Sequence, residues 1–206
     1  MDCVQIYPPR PGPGPAIKPR LDMFEMFYCE VCEAVTTPLL LGIQSENCPG
    51  NTVPLELIDT LLRDYPHIVA INCSCATEGQ LKQVIECFRR RVPMRCTSVK
   101  MLIPALEAGA TGGLVHEVSI CPDWLNRSVA LFKAGDIAGC LELHTRIKRL
   151  QAWWERFPVS AQKAALQFLG LPPMNVRRPY LPLPTQALAE LKHDLQQLGL
   201  IGMPND

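Results

Sequence analysis

Short apolar runs alternate with longer segments in which apolar residues recur every three or four positions. Cys3–Tyr7, Pro38–Ile43, Ile68–Ile71, Pro93–Thr97 and Gly113–His116 have the length and composition of strands. Between and after them the spacing predicts helices over Met23–Val35, Pro54–Arg63, Thr77–Arg90, Met101–Ala108 and Pro122–Ala134. Asp22 precedes the first as a cap, and Leu57, Ile58, Leu61 and Leu62 share one face of the second. Continuous apolar strands alternating with helices imply a parallel sheet covered by helices. After Gly135 the strands stop. Ile137–Trp153, Val159–Leu169 and Pro184–Leu198 read as three successive helices, the last set off by Pro172, Pro173, Pro179 and Pro182. The expectation is an α/β chain with about five βα units in residues 1–135 and a three-helix extension in 136–206.

Composition narrows the function classes. Twenty Lys+Arg balance 20 Asp+Glu, so nothing favours a nucleic acid or an acidic membrane surface as partner. No run of about 18 apolar residues predicts a membrane span. Prolines interrupt Met1–Arg20 where a secretory leader needs an apolar core, so a cytoplasmic protein is expected. Ten cysteines include Cys29-x-x-Cys32 and Cys73-x-Cys75, but Cys29 and Cys32 fall on a predicted helix rather than in tight loops. They read as reduced, largely buried thiols with no metal.

Glu46-Asn47-Cys48-Pro49-Gly50-Asn51-Thr52, taken in order with the segments that follow, resembles the Tyr-Asn-x-Pro-x-x-Thr segment of a known family, the pyruvate-dependent class I aldolases that include dihydrodipicolinate synthase and N-acetylneuraminate lyase. Ile68-Val69-Ala70-Ile71-Asn72-Cys73-Ser74 resembles the strand that ends Ile-Lys-Asp/Glu-Ser/Ala. Leu102-Ile103-Pro104-Ala105-Leu106-Glu107-Ala108-Gly109-Ala110-Thr111-Gly112-Gly113 resembles Leu-Pro-x-Leu-x-x-Gly-Ala-x-Gly and is the most specific match. Pro122, Gly135, Lys163-Ala164-Ala165-Leu166, Gly170-Leu171 and Arg178-Pro179 follow at family-like intervals.

The resemblance implies a TIM (β/α)8-type barrel with its chemistry at the C-terminal ends of the strands. It aligns only the later part of that barrel, about strands four to eight, so a partial barrel is expected. The family's Schiff-base lysine is matched by Asn72, its proton-relaying tyrosine by Glu46, and the arginine of dihydrodipicolinate synthases by Asn51. Asn47 and Pro49 are retained, and Asn47, Asn51 and Gly113 stand at implied substrate-binding positions. Thr97-Ser98-Val99 replaces the usual Gly-Asp/Ser-Asp. A carboxamide forms no Schiff base, so ordinary aldolase activity is not expected.

Alternatives remain at the level of sequence. Lys100, just past a predicted strand end, is a displaced nucleophile if one exists, and would support a lyase or aldolase acting on pyruvate or another 2-keto acid. His116 and Glu117, at the end of the predicted fifth strand, are a conceivable acid/base pair. An incomplete gene product of a longer family member is a third reading. No cofactor is implied. A sheet with open edges invites a homo-oligomer, or a partner chain that completes the barrel.

Overall fold

The computed structural model describes residues 3–9, 20–44, 53–75 and 77–202. Five strands run parallel in one sheet: β1 (Val4–Ile6), β2 (Leu39–Gln44), β3 (Ile68–Ser74), β4 (Met94–Cys96) and β5 (Gly112–Gly113), in that spatial order. Helices α1 (Leu21–Ala34), α2 (Leu55–Asp64), α3 (Glu78–Phe88) and α4 (Leu102–Ala108) each connect one strand to the next. Such connections are what parallel pairing demands. Beyond the sheet come α5 (Pro122–Lys133), α6 (Ile137–Arg156), α7 (Ser160–Phe168) and α8 (Thr185–Gln197). The chain divides into two compact units, one ending at Leu114 and one beginning at Val115. The sequence boundary at 135/136 follows the βα repeat, whereas this division follows packing, which groups α5 with α6.

Register sorts the strand residues of the first unit into two faces. Leu41, Ile71 and Met94 are aligned across β2, β3 and β4, as are Ile43, Cys73 and Cys96. All six are essentially inaccessible. The helices supply matching apolar stripes, Leu57, Ile58 and Leu61 on α2 and Leu81, Val84, Ile85 and Phe88 on α3. Thr77 begins α3 by accepting the Gln80 N–H at its hydroxyl, 3.3 Å away. Gly109 ends α4 at φ 103°, a left-handed conformation that favours glycine. The alternate row, Gly42, Asn72, Arg95 and Gly112, looks the other way.

Two expected elements differ. The third strand runs to Ser74 rather than stopping at Ile71, because Gly42–Gln44 of β2 continue the ladder opposite Asn72–Ser74. The fifth strand is only Gly112–Gly113, not Gly113–His116. Leu114 still donates to the Cys96 carbonyl at 2.8 Å, but His116–Ser119 then turn in a short 3₁₀ helix.

In the second unit Asp194 of α8 is the polar centre. It accepts from Trp153 Nε1 at 2.8 Å and from the Arg149 guanidinium, both on α6. Arg146 donates to the Leu198 carbonyl at 2.6 Å and lies 4.2 Å above the Trp124 ring. Of the paired tryptophans, Trp153 is buried and Trp154 half-buried. No described helix is long and apolar enough to cross a membrane.

Candidate functional site

β3 places Asn72 among residues chosen for burial. Its neighbours Ile71 and Cys73 belong to the helix-facing row, so strand alternation turns the Asn72 side chain to the opposite face. It is only 1% exposed, and both amide atoms, Nδ2 and Oδ1, are buried with no hydrogen-bond partner. A buried polar group left in that state costs about 1–3 kcal/mol. On the same face Gln5, aligned with Leu40 of β2 and through it with Ala70, also has a buried Nε2 without a partner.

Asn72 is flanked in its row by Gly42 on one side and Arg95 on the other. Gly42 lacks a side chain because Tyr7 and the Ile6 carbonyl fill its place: a Cβ there would come within 2.8 Å of Tyr7 Cδ1. On the other flank Arg95 is exposed and in register with Asn72, and its Nη1 lies 4.0 Å from where a Cβ on Gly112 would stand. Arg95 is a residue that sequence reasoning missed. The available signal was a single cation inside the alternating buried-exposed-buried strand Met94-Arg95-Cys96.

The other sequence candidates are dispersed. Glu46, Asn47 and Asn51 lie outside the described residues. Lys100 is exposed, in the turn leading to α4. Gly113 aligns with Cys96 rather than with Asn72, and a Cβ there would meet the Cys96 carbonyl at 3.4 Å and Leu102 at 3.5 Å. It is a close-packing position on the helix side.

His116 is not at a strand end but opens the 3₁₀ turn. Its carbonyl accepts the Ser119 hydroxyl at 2.9 Å, and Gln162 of α7 donates to that hydroxyl at 2.8 Å. Glu117 is buried, and burial raises its carboxyl above the ordinary value. Its own backbone N–H and His116 oppose that rise, while Glu155 adds to it.

Four buried thiols are poor nucleophiles. Burial raises Cys73 well above its usual range and pushes Cys96 and Cys121 up to about 12 and Cys32 up to about 11. None of the nine described cysteines is in a disulfide. Among the described residues no group of three or more His, Cys, Asp or Glu is placed to hold a metal ion.

Comparison with known proteins gives this geometry a context. A sequence model of the dihydrodipicolinate synthetase family matches residues 17–198. The 4-hydroxy-tetrahydrodipicolinate synthase of Chlorobium limicola is 26% identical over 189 residues, covering 89% of this chain and 62% of its own. The chain therefore spans less than two thirds of the length of that curated relative. Dihydrodipicolinate synthase from Thermotoga maritima superposes with a TM-score of 0.82 at 18% identity, over 97% of this chain and 67% of that one. A prophage protein of the same synthase family from E. coli K12, solved with pyruvate, gives 0.81 at 21% identity over 97% and 67%. These neighbours are TIM barrels, and the five-stranded sheet is a partial barrel of their type.

Two outcomes follow from the burial of Asn72 and Glu117. Replacing Asn72 with leucine, nearly isosteric and without polar atoms, should stabilise the ligand-free protein by about 1–3 kcal/mol in urea denaturation, and a destabilised N72L would show that the amide has a partner. Glu117 has a folded-state value raised above that of the unfolded chain. Its contribution is therefore fully present in acid, below the unfolded carboxyl value, and is lost as pH rises through the folded one. Glu117→Gln should accordingly stabilise the fold at pH 7.5 relative to wild type and lose that advantage at pH 4, read as the difference in urea midpoints.

Proposed function

The chain belongs to the dihydrodipicolinate synthetase family, whose sequence model covers residues 17–198, and on that premise we propose that it keeps the family scaffold without ordinary Schiff-base aldolase chemistry. The observation that carries this reading is Asn72. By the sequence resemblance it occupies the Schiff-base lysine position, and the fold makes that position a buried strand residue. An imine needs a primary amine whose lone pair is available to attack a keto carbon. The carboxamide nitrogen of Asn72 shares its lone pair with the adjacent carbonyl and cannot supply it.

Glu46 at the tyrosine position and Asn51 at the arginine position belong to the same reading: the proton relay and the second cation are altered together. The displaced-nucleophile alternative through Lys100 gains little support. A Schiff-base lysine is held in a desolvated site or beside another cation, whereas Lys100 is exposed at the start of a helix. If the protein has a substrate, pyruvate or another 2-keto acid is the class the family suggests. The free thiols accord with a cytoplasmic, reducing setting.

Association belongs to the proposal. Among the described residues β1 and β5 each pair on one side only, which leaves two rows of backbone donors and acceptors at the sheet edges. Such edges take up further strands, so a homo-oligomer or a partner chain completing the barrel is the assembly we infer.

Borohydride reduction in the presence of pyruvate, followed by intact-mass measurement, should leave the protein at its unmodified mass. A covalent pyruvyl adduct would overturn the proposal, and its loss in Lys100→Ala would name the nucleophile. Light scattering on the purified chain should report a species larger than one chain, dissociating on dilution; a monomer at every concentration would remove the self-assembly.

A further inference from the structure

The sheet face that carries Asn72 also bounds a cavity of about 330 Å³. Leu40, Val69, Ala70, Pro93 and Leu114 give it apolar walls, and Arg95 is the one charged side chain on it. The volume falls at the low end of the range of small-molecule sites, and apolar walls with a few convergent polar groups are their usual character. Val69 and Leu114 are 42% and 44% exposed here. Val69 is skipped in the pairing between Leu39↔Ile68 and Leu40↔Ala70, and that irregularity leaves it uncovered.

We propose that this cavity binds a small apolar monocarboxylate, its anionic end held by Arg95 and its hydrocarbon end lying against Leu40, Val69 and Leu114. Arg95 makes no ion pair with an acidic group of the described residues, yet a guanidinium stays charged and its planar fork matches a carboxylate. Gly112 has no side chain to obstruct the guanidinium as it turns toward a ligand.

Charge sets the ligand class. One cation in apolar surroundings suits one negative charge, while a dianion such as phosphate would leave charge unneutralised in a site without a second cation. No acidic side chain lines the cavity, so an ammonium group has no partner there. The apolar walls ask for a hydrocarbon body. The inference concerns the same sheet face as the function proposed above and does not depend on the chemistry at Asn72.

Isothermal titration of the full chain with sodium octanoate tests it, with acetate, inorganic phosphate and 1-octanol as companions. Octanoate has no keto group, so its binding is independent of imine formation. The expected result is one octanoate per chain, with acetate, phosphate and octanol each weaker by roughly tenfold or more. Arg95→Ala should weaken octanoate by roughly tenfold or more, and Arg95→Lys, which keeps the charge but loses the fork, should fall between. Lys148→Ala, on α6, should change nothing. Circular dichroism checks that each variant folds, and Arg95→Lys keeps the test decisive if Arg95→Ala does not. No heat with octanoate at millimolar concentration, equal affinity for octanol, or undiminished binding by both Arg95 variants would overturn the assignment. So would self-association that Arg95→Ala abolishes and octanoate leaves untouched, because the guanidinium would then be serving a protein carboxylate.

Discussion

The alternation of side chains along β3 governs what the sheet can do. Ile71 and Cys73 must face the helices, because they fill the layer between Leu41, Ile43, Met94 and Cys96 and the apolar stripes of α2 and α3. With a period of two, Asn72 then has no choice of face. A slip of one residue would bury the amide among aliphatic groups and lift Ile71 and Cys73 out of the core. The hydrophobic layer thus fixes the position of a group that takes no part in it, and register with β4 sets Arg95 beside that group.

The same constraint accounts for how the scaffold could persist without the Schiff-base chemistry, as we propose. Family-like segments such as Leu102–Ala108 with Gly109, Gly112 and Gly113 are packing devices: an apolar helix face, a left-handed terminus and a strand glycine pressed against Leu102. They keep their form as long as the sheet and helices must fit together. A lysine amine is under no such packing demand, so an amide of smaller reach can stand in its place without disturbing the layer behind it. The fold belongs to a family of carbon–carbon bond chemistry, while the group at the centre of the sheet is suited to hydrogen bonding.

The second unit is held by a different kind of interaction. Asp194 gathers an indole N–H and a guanidinium from α6, Arg146 reaches the end of α8, and Lys163 of α7 donates to the Asn175 carbonyl in the proline-rich segment. These bonds join elements far apart in sequence. Glu117 and Cys121 of the same unit are both buried, and burial keeps the carboxyl and the thiol toward their neutral forms.

How much was legible in the chain depended on whether the signal was local. Apolar runs such as Pro38–Ile43 and the stripe of Leu57, Ile58 and Leu61 announced β2 and α2 because each is recorded within a few residues. The five-unit order and the helical extension followed from their succession. The length of β3 was underestimated, since Asn72–Ser74 are strand only because Gly42–Gln44 run beside them. His116 was misplaced for a similar reason: Val115 and His116 have strand-forming neighbours, but no partner continues past Cys96 to pair with them. Asn72 was visible as an amide where an amine would be expected, whereas its unpartnered state and its alignment with Arg95 were not. Periodicity and residue type, being properties of neighbours along the chain, decided the α/β class and marked Asn72 as the position to question. Which polar groups end up side by side on one face is settled by strand register, a relation between residues more than twenty positions apart, and only the folded sheet fixes it.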